Sequence, residues 1–276
     1  LRSMSVRANV INRPESDPRL CSRAATGELR SADGTVKTVT WQLPDEVPVA
    51  LQINTQPFTV MMATPANLRD FAAGFLLSEG LIRSVGDITA VMALPVEGGL
   101  VVDVALPAEK IEPSRIAQRS IEGRTGCGLC GVEDIGSVIR PLPVLTRDWA
   151  PEAAVIERAA RDLQRHQPMN LLNRSVHGAA YVSRAGDILL LREDVGRHNA
   201  LDKLIGAIAL QDLDRKAGFI LMTSRCSFEL VQKSVVAGIG GLVTVSAPTA
   251  LALDLAVKSN LFLAALGPGG PVVFNG

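Results

Sequence analysis

The chain has 276 residues, 47% of them apolar, and its 28 Lys and Arg equal its 28 Asp and Glu. It can therefore bury one large core or two modest ones, and without net charge it has neither the basic surplus nor the acidic tail that would make nucleic acid an expected partner. Its most apolar stretch, 234 to 267, is broken by Pro248, Asp254 and Lys258, short of the roughly 20 apolar residues a membrane span takes, so a soluble protein is expected.

Residues 1 to 35 are polar and turn-rich (Pro14, Asp17-Pro18, Asp33-Gly34) and read as a flexible N-terminal segment without a secretory leader, which points to the cytoplasm. From Val36 the runs VKTVTWQL, VPVALQI and FTVMMAT have strand lengths and predict a small antiparallel meander. Thr64-Pro65 reads as an N-cap with proline at the first helical position, Phe71, Phe75 and Leu76 follow at helical spacing, and Gly80 ends the run. Strands near 88–94 and 100–106 flank Glu97-Gly98-Gly99 as a hairpin, which makes 36–112 an α+β subdomain.

A glycine-rich segment, 113–135, lacks apolar periodicity and is expected to be a flexible loop. Beyond it, 136–276 reads as an α/β domain. A helix is expected at 151–166, then strands at 176–183 and 187–192, a helix at 198–211, a strand at 217–223, a helix at 227–238, a strand at 241–246, a helix at 248–258 and a strand at 260–266. Such alternation predicts a largely parallel sheet.

Four places could carry chemistry. In GRTGCGLCG, 123 to 131, two thiols stand three residues apart with Arg124 as the nearest charge, an arrangement that favours thiolate and lets a sulfur atom pass between the two. Half a zinc site, a thioredoxin-type motif and an inert structural pair are the alternatives. Zinc would need two more ligands, whereas Cys21 and Cys226 are distant singles and His166, His177 and His198 lack paired spacing. In REDVGRHNALDKLIG, 192 to 206, acids, Arg197, His198 and Asn199 crowd a strand-to-helix junction, where free backbone N–H groups favour anions. TSRCSFELVQKS, 223 to 234, and SAPTALALDLA, 246 to 256, are two more such junctions, at which Ser227 and Thr249 could be ordinary helix caps. Three junctions ending in small polar or cationic groups on one sheet suit a phosphate-bearing ligand.

Read in order from Glu46, VPVALQINTQPFTVMMATPANLRDFAAGFLLSEGLI, CGLCG, EDVGRHNALDKLIG, SRCSFELVQK and VSAPTALALDLA resemble the formate dehydrogenase accessory sulfurtransferase family, often called FdhD. The resemblance implies an α/β fold with a cytidine-deaminase-like C-terminal domain beside the smaller α+β N-terminal one, and a homodimer. It also implies a role in which sulfur, taken as a persulfide from a cysteine desulfurase, is passed to the bis-molybdopterin guanine dinucleotide cofactor for formate dehydrogenase. Cys127 and Cys130 match the family's cysteine pair. Its ligand region carries over to His177, Asp194, Gly196, Arg197, His198, Asn199, Arg225, Ser227 and the stretch from Ser246 to Thr249, with a guanine nucleotide as cofactor fragment and no structural metal.

The chain departs from the family at Asn173-Arg174-Ser175, Thr223-Ser224-Arg225, Leu266 and Pro268. Deamination itself is not expected, because His177 is followed by Gly178 and Ala179 rather than a general-acid carboxylate, and Glu229 stands where zinc deaminases have a second cysteine. The rival reading is a molybdenum-cofactor or guanine-nucleotide binding chaperone without sulfur transfer.

Overall fold

The computed structural model describes residues 18–112 and 140–276. Strands β1 (Ser22–Arg30) and β2 (Val36–Pro44) form an antiparallel hairpin in continuous register, from Ser22 opposite Pro44 to Arg30 opposite Val36. The expectation that order begins only at Val36 is corrected. Asp33-Gly34 is the hairpin turn, with Gly34 at φ 83° and the Asp33 carboxylate accepting from the Thr35 amide.

Strands β3 (Val47–Ile53), β4 (Gln56–Ala63), β5 (Ala90–Val96) and β6 (Gly99–Ala105) make a second sheet in the order β4-β3-β6-β5. The expected three-strand meander is therefore replaced: β2 pairs backwards with β1, and β3 runs parallel to β6. That parallel pairing needs a long crossover, which the intervening helix α1 (Leu68–Ser78) provides. The β5–β6 turn is as read, with Gly98 at φ 80° between the paired Val96 and Gly99. The start of α1 is not. Asn67 occupies the N-cap in a left-handed conformation, while Thr64 lies fully buried three residues upstream and bonds elsewhere. Gly80, at φ 67°, ends the helix as expected.

Helices α2 (Ala153–Leu163) and α3 (Pro168–Asn173) lead into β7 (His177–Ser183) and β8 (Ile188–Asp194). There follow α4 (Arg197–Leu210), β9 (Gly218–Met222), α5 (Phe228–Val236), β10 (Gly241–Thr244), α6 (Ala250–Lys258), β11 (Phe262–Gly267) and β12 (Gly270–Asn275). The six strands pair in the order β12-β11-β10-β9-β7-β8. Only β9–β10 and β10–β11 are parallel; β7 opposes both its neighbours and β12 opposes β11, so the largely parallel sheet expected is a mixed one.

Along β7 and β9, successive residues supply opposite cores. Ala180, Val182, Phe219 and Leu221 pack against Ile156, Ala159 and Leu163 of α2, while Ala179, Tyr181, Ile220 and Met222 join the larger core with α4, α5 and α6. Strands buried on both faces read as continuous apolar runs, as these do. The same large core includes α1, with Phe71 and Phe75, and the inner face of the four-stranded sheet through Val49, Leu51, Val102 and Val104.

Helices α1 and α4 meet backbone to backbone. A Cβ on Gly74 would stand 1.7 Å from the Asp202 carbonyl oxygen, and one on Gly206 would stand 1.9 Å from that of Asp70. Overpacking usually costs about 1–3 kcal/mol, and here no side chain can move aside. Gly74→Ala and Gly206→Ala should each lower stability by about 3 kcal/mol or more in urea titrations, whereas Gly240→Ala, which meets only the Arg147 side chain at 3.6 Å, should change it little. Equal midpoints for all three would refute the contact.

Candidate functional site: a polar crevice at one sheet edge

The junctions singled out in the sequence converge. His177 opens β7 directly opposite Asp194, which closes β8. The Gly178 amide donates to Thr223 Oγ1 at 2.8 Å and the Thr223 amide to the Gly178 carbonyl at 3.0 Å, tying this pair to the end of β9. Segments 223–227 and 245–249 then run side by side through the bonds Val245 N–H to Met222 O (3.0 Å) and Thr249 N–H to Cys226 O (3.0 Å) and a parallel bridge between Cys226 and Pro248. His177, Asp194, Gly196 to Asn199, Arg225, Ser227, Ser246 and Thr249 thus share one edge of the sheet, where parallel strands hand over to helices.

They do not share one role. Asp194 is sealed from solvent and fully used: its carboxylate pairs with Lys203 Nζ at 2.6 Å and accepts from the amides of Thr64 (3.0 Å) and Gly196 (2.8 Å) and from Asn199 Nδ2 (3.0 Å). Lys203, also without exposure, donates to the Thr64 carbonyl at 2.9 Å, and Asn199 Nδ2 also donates to the Met62 carbonyl at 2.8 Å. These residues build the floor of the crevice. Thr249 is an ordinary cap, its Oγ1 accepting from the Ala252 amide at 3.3 Å.

Others remain available. Ser227 occupies the N-cap of α5, yet its hydroxyl caps nothing. Among the described residues, Gln167 Nε2, Arg197 Nε, His198 Nε2, Ser227 Oγ and Glu229 Oε2 are buried polar atoms without a hydrogen-bond partner. Native interiors rarely leave such groups unpaired, and those of Arg197, His198, Ser227 and Glu229 belong to the junctions at this edge, where they suit a ligand, whereas Gln167 stands apart beside Gly178. His198 Nε2 and Glu229 Oε2 face each other at 3.9 Å, beyond hydrogen-bond reach. Burial opposes ionisation of Glu229, but the nearby His198 and Ser227 side chains and its own backbone amide favour the carboxylate, so its pKa is lowered. Burial lowers the pKa of His177, Arg197 adding to the effect and Asp194 opposing it, so its imidazole is neutral at pH 7.

Glu229, Lys203 and Thr64 are not read from the sequence as part of this site. Glu229 had a signal, since it replaces a zinc ligand of the deaminases; Thr64 and Lys203 had none, because their partners lie 130 and 139 residues away or on the strand before. Cys127 and Cys130 lie outside the described residues, as does the segment 113–135 expected to be a loop. Both flanks of that region are held at the end of α1: the Glu112 amide donates to the Leu81 carbonyl at 3.0 Å, and Arg140 pairs with Glu79 while its amide donates to Gln232 Oε1 at 3.0 Å. Lys233 completes this anchor, bonding Glu79, Asp202 and Ser78 at 2.9 Å each.

The FdhD/NarQ family matches residues 44–271. The chain belongs to the FdhD/NarQ family. The matched span takes in both cysteines of the CGLCG motif and every crevice residue named above, and leaves out β1 and nearly all of β2. Similar members include the sulfur carrier protein FdhD of Bordetella petrii, 40% identical over 244 residues that cover 88% of this chain and 87% of that protein. The sulfur carrier protein FdhD of Cupriavidus necator is 44% identical over 224 residues, 81% of this chain and 77% of its own. A crystal structure of a formate dehydrogenase accessory protein from Desulfotalea psychrophila shares the fold, with a TM-score of 0.74 at 24% identity over 93% of this chain and 98% of that one. Among the described residues of this family member, no helix is long and apolar enough to cross a membrane.

Two outcomes follow from the geometry. Lys203→Met strands a buried carboxylate and should cost about 3–5 kcal/mol in chemical denaturation, with Lys203→Met/Asp194→Asn losing clearly less than the sum of the single changes; strict additivity would refute the pair. Cys226 is buried with its thiol pushed up to about 12, first by burial and then by the Glu229 charge. At pH 8 roughly one such thiol in ten thousand is ionised, so iodoacetamide should spare Cys226 until the chain is unfolded. Because the unfolded thiol ionises first, this group's contribution to stability is lost as pH rises from the ordinary thiol range towards about 12.

Proposed function

We propose that the chain is a sulfur carrier for formate dehydrogenase maturation, working in the cytoplasm as a homodimer and using Cys127 and Cys130. The observation that carries this reading is the family match over 44–271, which joins the cysteine pair and the crevice in one span shared with named sulfur carrier proteins. The described thiols add support by being unsuited to carrying sulfur: Cys21 and Cys226 are buried, and Cys226 is held protonated.

In the proposed chemistry, a thiolate of the pair attacks the terminal sulfur of a cysteine desulfurase persulfide. The desulfurase cysteine leaves as thiolate, and the carrier now holds the persulfide. Delivery of that sulfur as sulfide consumes two electrons, which the second thiol can supply by closing a Cys127–Cys130 disulfide, later reopened by a cellular dithiol. The acceptor in this reading is the bis-molybdopterin guanine dinucleotide cofactor, bound as substrate in the crevice. The donor Arg197 stands at the N-terminus of α4, where free amide groups favour its phosphates, and neutral His177 lies at the same sheet edge, opposite Asp194. The deaminase-like description of 136–276 belongs to the same proposal, supported by helices on both faces of the mixed sheet.

A cofactor-binding chaperone without sulfur chemistry is the second reading, favoured by the unpartnered crevice atoms taken alone. Incubation of the protein with a cysteine desulfurase and cysteine should add reducible sulfur, mapped by peptide mass to 125–131, and Cys127→Ser/Cys130→Ser should abolish both the added mass and support of formate dehydrogenase activity. Full support by the double variant would leave only the chaperone.

A further inference from the structure

The β1–β2 hairpin is a ribbon with unlike faces. Cross-strand pairing puts Arg23 beside Leu43, Ala25 beside Trp41, Gly27 beside Val39 and Leu29 beside Lys37 on one face, while Ala24 and Gln42, Thr26 and Thr40, and Glu28 and Thr38 share the other. The first face is apolar along its middle and open, with Leu29 52% and Trp41 48% exposed, and its charged members are the cations Arg23 and Lys37. A two-stranded hairpin gains little stability by itself, so a ribbon of nine residues per strand calls for a partner.

The outer face of the four-stranded sheet has the complementary character. Val60, Ala50, Val101 and Leu94 form an unbroken apolar row across β4, β3, β6 and β5, followed by Met62 beside Pro48 and Val96 beside Gly99. Val60 and Val96 are each 50% exposed. The charged members here are acids: Asp103, paired beside Met92, and Glu97 in the β5–β6 turn. Within one copy the two faces stay apart, because the root of the ribbon is fastened elsewhere. The Asp45 amide donates to the Cys21 carbonyl at 2.7 Å, and Cys21 packs with Met169 and Val176.

We propose that the apolar face of the β1–β2 ribbon is a docking arm that lies across the outer face of the four-stranded sheet of a second copy of this chain, the exchange being reciprocal about a two-fold axis. This rests on the homodimer reading and says which surfaces build it. Area supports the reciprocal form. Four strands about 4.8 Å apart and about 23 Å long offer roughly 440 Å², and a ribbon about 10 Å by 30 Å offers roughly 300 Å². Neither alone reaches the roughly 800 Å² per partner of a stable interface, but in an exchange each copy contributes both, about 740 Å² before side-chain relief is added. Charge supports the pairing, since cations flank the ribbon's apolar centre and acids flank the sheet's. A two-fold exchange also closes, leaving neither face free to recruit a third copy.

Sedimentation of the full chain over a range of concentrations tests this. The unaltered protein should dimerise, and Trp41→Glu should raise the dimer dissociation constant roughly thirtyfold or more, with circular dichroism confirming the fold. Arg23→Glu/Lys37→Glu and Glu97→Lys/Asp103→Lys should each dimerise poorly alone, yet form a heterodimer when mixed, because every ribbon then meets a sheet of opposite charge. A benzophenone amino acid in place of Trp41 makes the test on an otherwise native chain: in a mixture of isotopically light and heavy copies, its cross-links should join 47–63 or 90–105 of the other copy. Cross-links confined to one copy, or an unchanged dimer in Trp41→Glu and in both charge reversals, would overturn the arm and leave the homodimer built on another surface. A monomer at every concentration would overturn the homodimer reading, and the arm with it.

Discussion

The pairing of Asp194 with Lys203, both without solvent exposure, is the constraint on which the arrangement of the crevice depends. Taking two charges out of water is costly, and an apolar pair of equal volume could match its stability. An apolar pair could not, however, satisfy the buried amide and carbonyl of Thr64, which this carboxylate and ammonium do from opposite sides. Through Thr64 the end of β4 is fastened to the end of β8, and through Gly196 and Asn199 the same carboxylate sets where α4 begins. The polar pair thus fixes the register of the N-terminal sheet on the C-terminal one at the mouth of the crevice.

Helix α5 links the two chemical regions. Its first turn carries Ser227 at the cap and Glu229 in the crevice, and Gln232 and Lys233 hold Arg140 and Glu79 about one turn further on. At about 1.5 Å of rise per residue, Glu229 and Lys233 lie about 6 Å apart along the axis. The root of the cysteine segment and the wall of the crevice are therefore parts of one rigid element, so a change in its tilt is felt at both. Charge does the fastening here, since Lys233 serves Glu79 and Asp202 at once and Arg140 adds a second cation to Glu79.

Much of the fold was legible because local pattern controls it. The alternation of β7 to β11 with α4 to α6 followed from apolar runs and their lengths, and the β5–β6 hairpin from Gly98. Strand direction was not legible: β7 and β8 read the same whether parallel or antiparallel, and only the short 184–187 turn decides. β1 was missed because SRAATGELR has little β propensity and gains its order by pairing with β2. Thr64-Pro65 imitates a helix start in sequence, but the threonine is recruited by Asp194 from far along the chain. In the site the same division holds. Positions at strand-to-helix junctions were found by location, whereas the distinction between the spent side chains of Asp194, Asn199 and Thr249 and the open ones of Ser227 and Glu229 depends on partners that no local pattern encodes.

The contact between Gly74 and Gly206 bears on how this chain can diverge from its relatives. Where two side chains collide, enlargement of one can be relieved by shrinking the other, and such pairs drift together. Here the obstacle to either residue is main chain, the carbonyls of Asp202 and Asp70, and every amino acid supplies a carbonyl. No second substitution on the facing helix can restore the fit. The pair is closed to compensatory exchange, and sequence change around it must proceed with these two positions fixed or by displacing a whole helix, which would carry Asp202 and its bond to Lys233 with it.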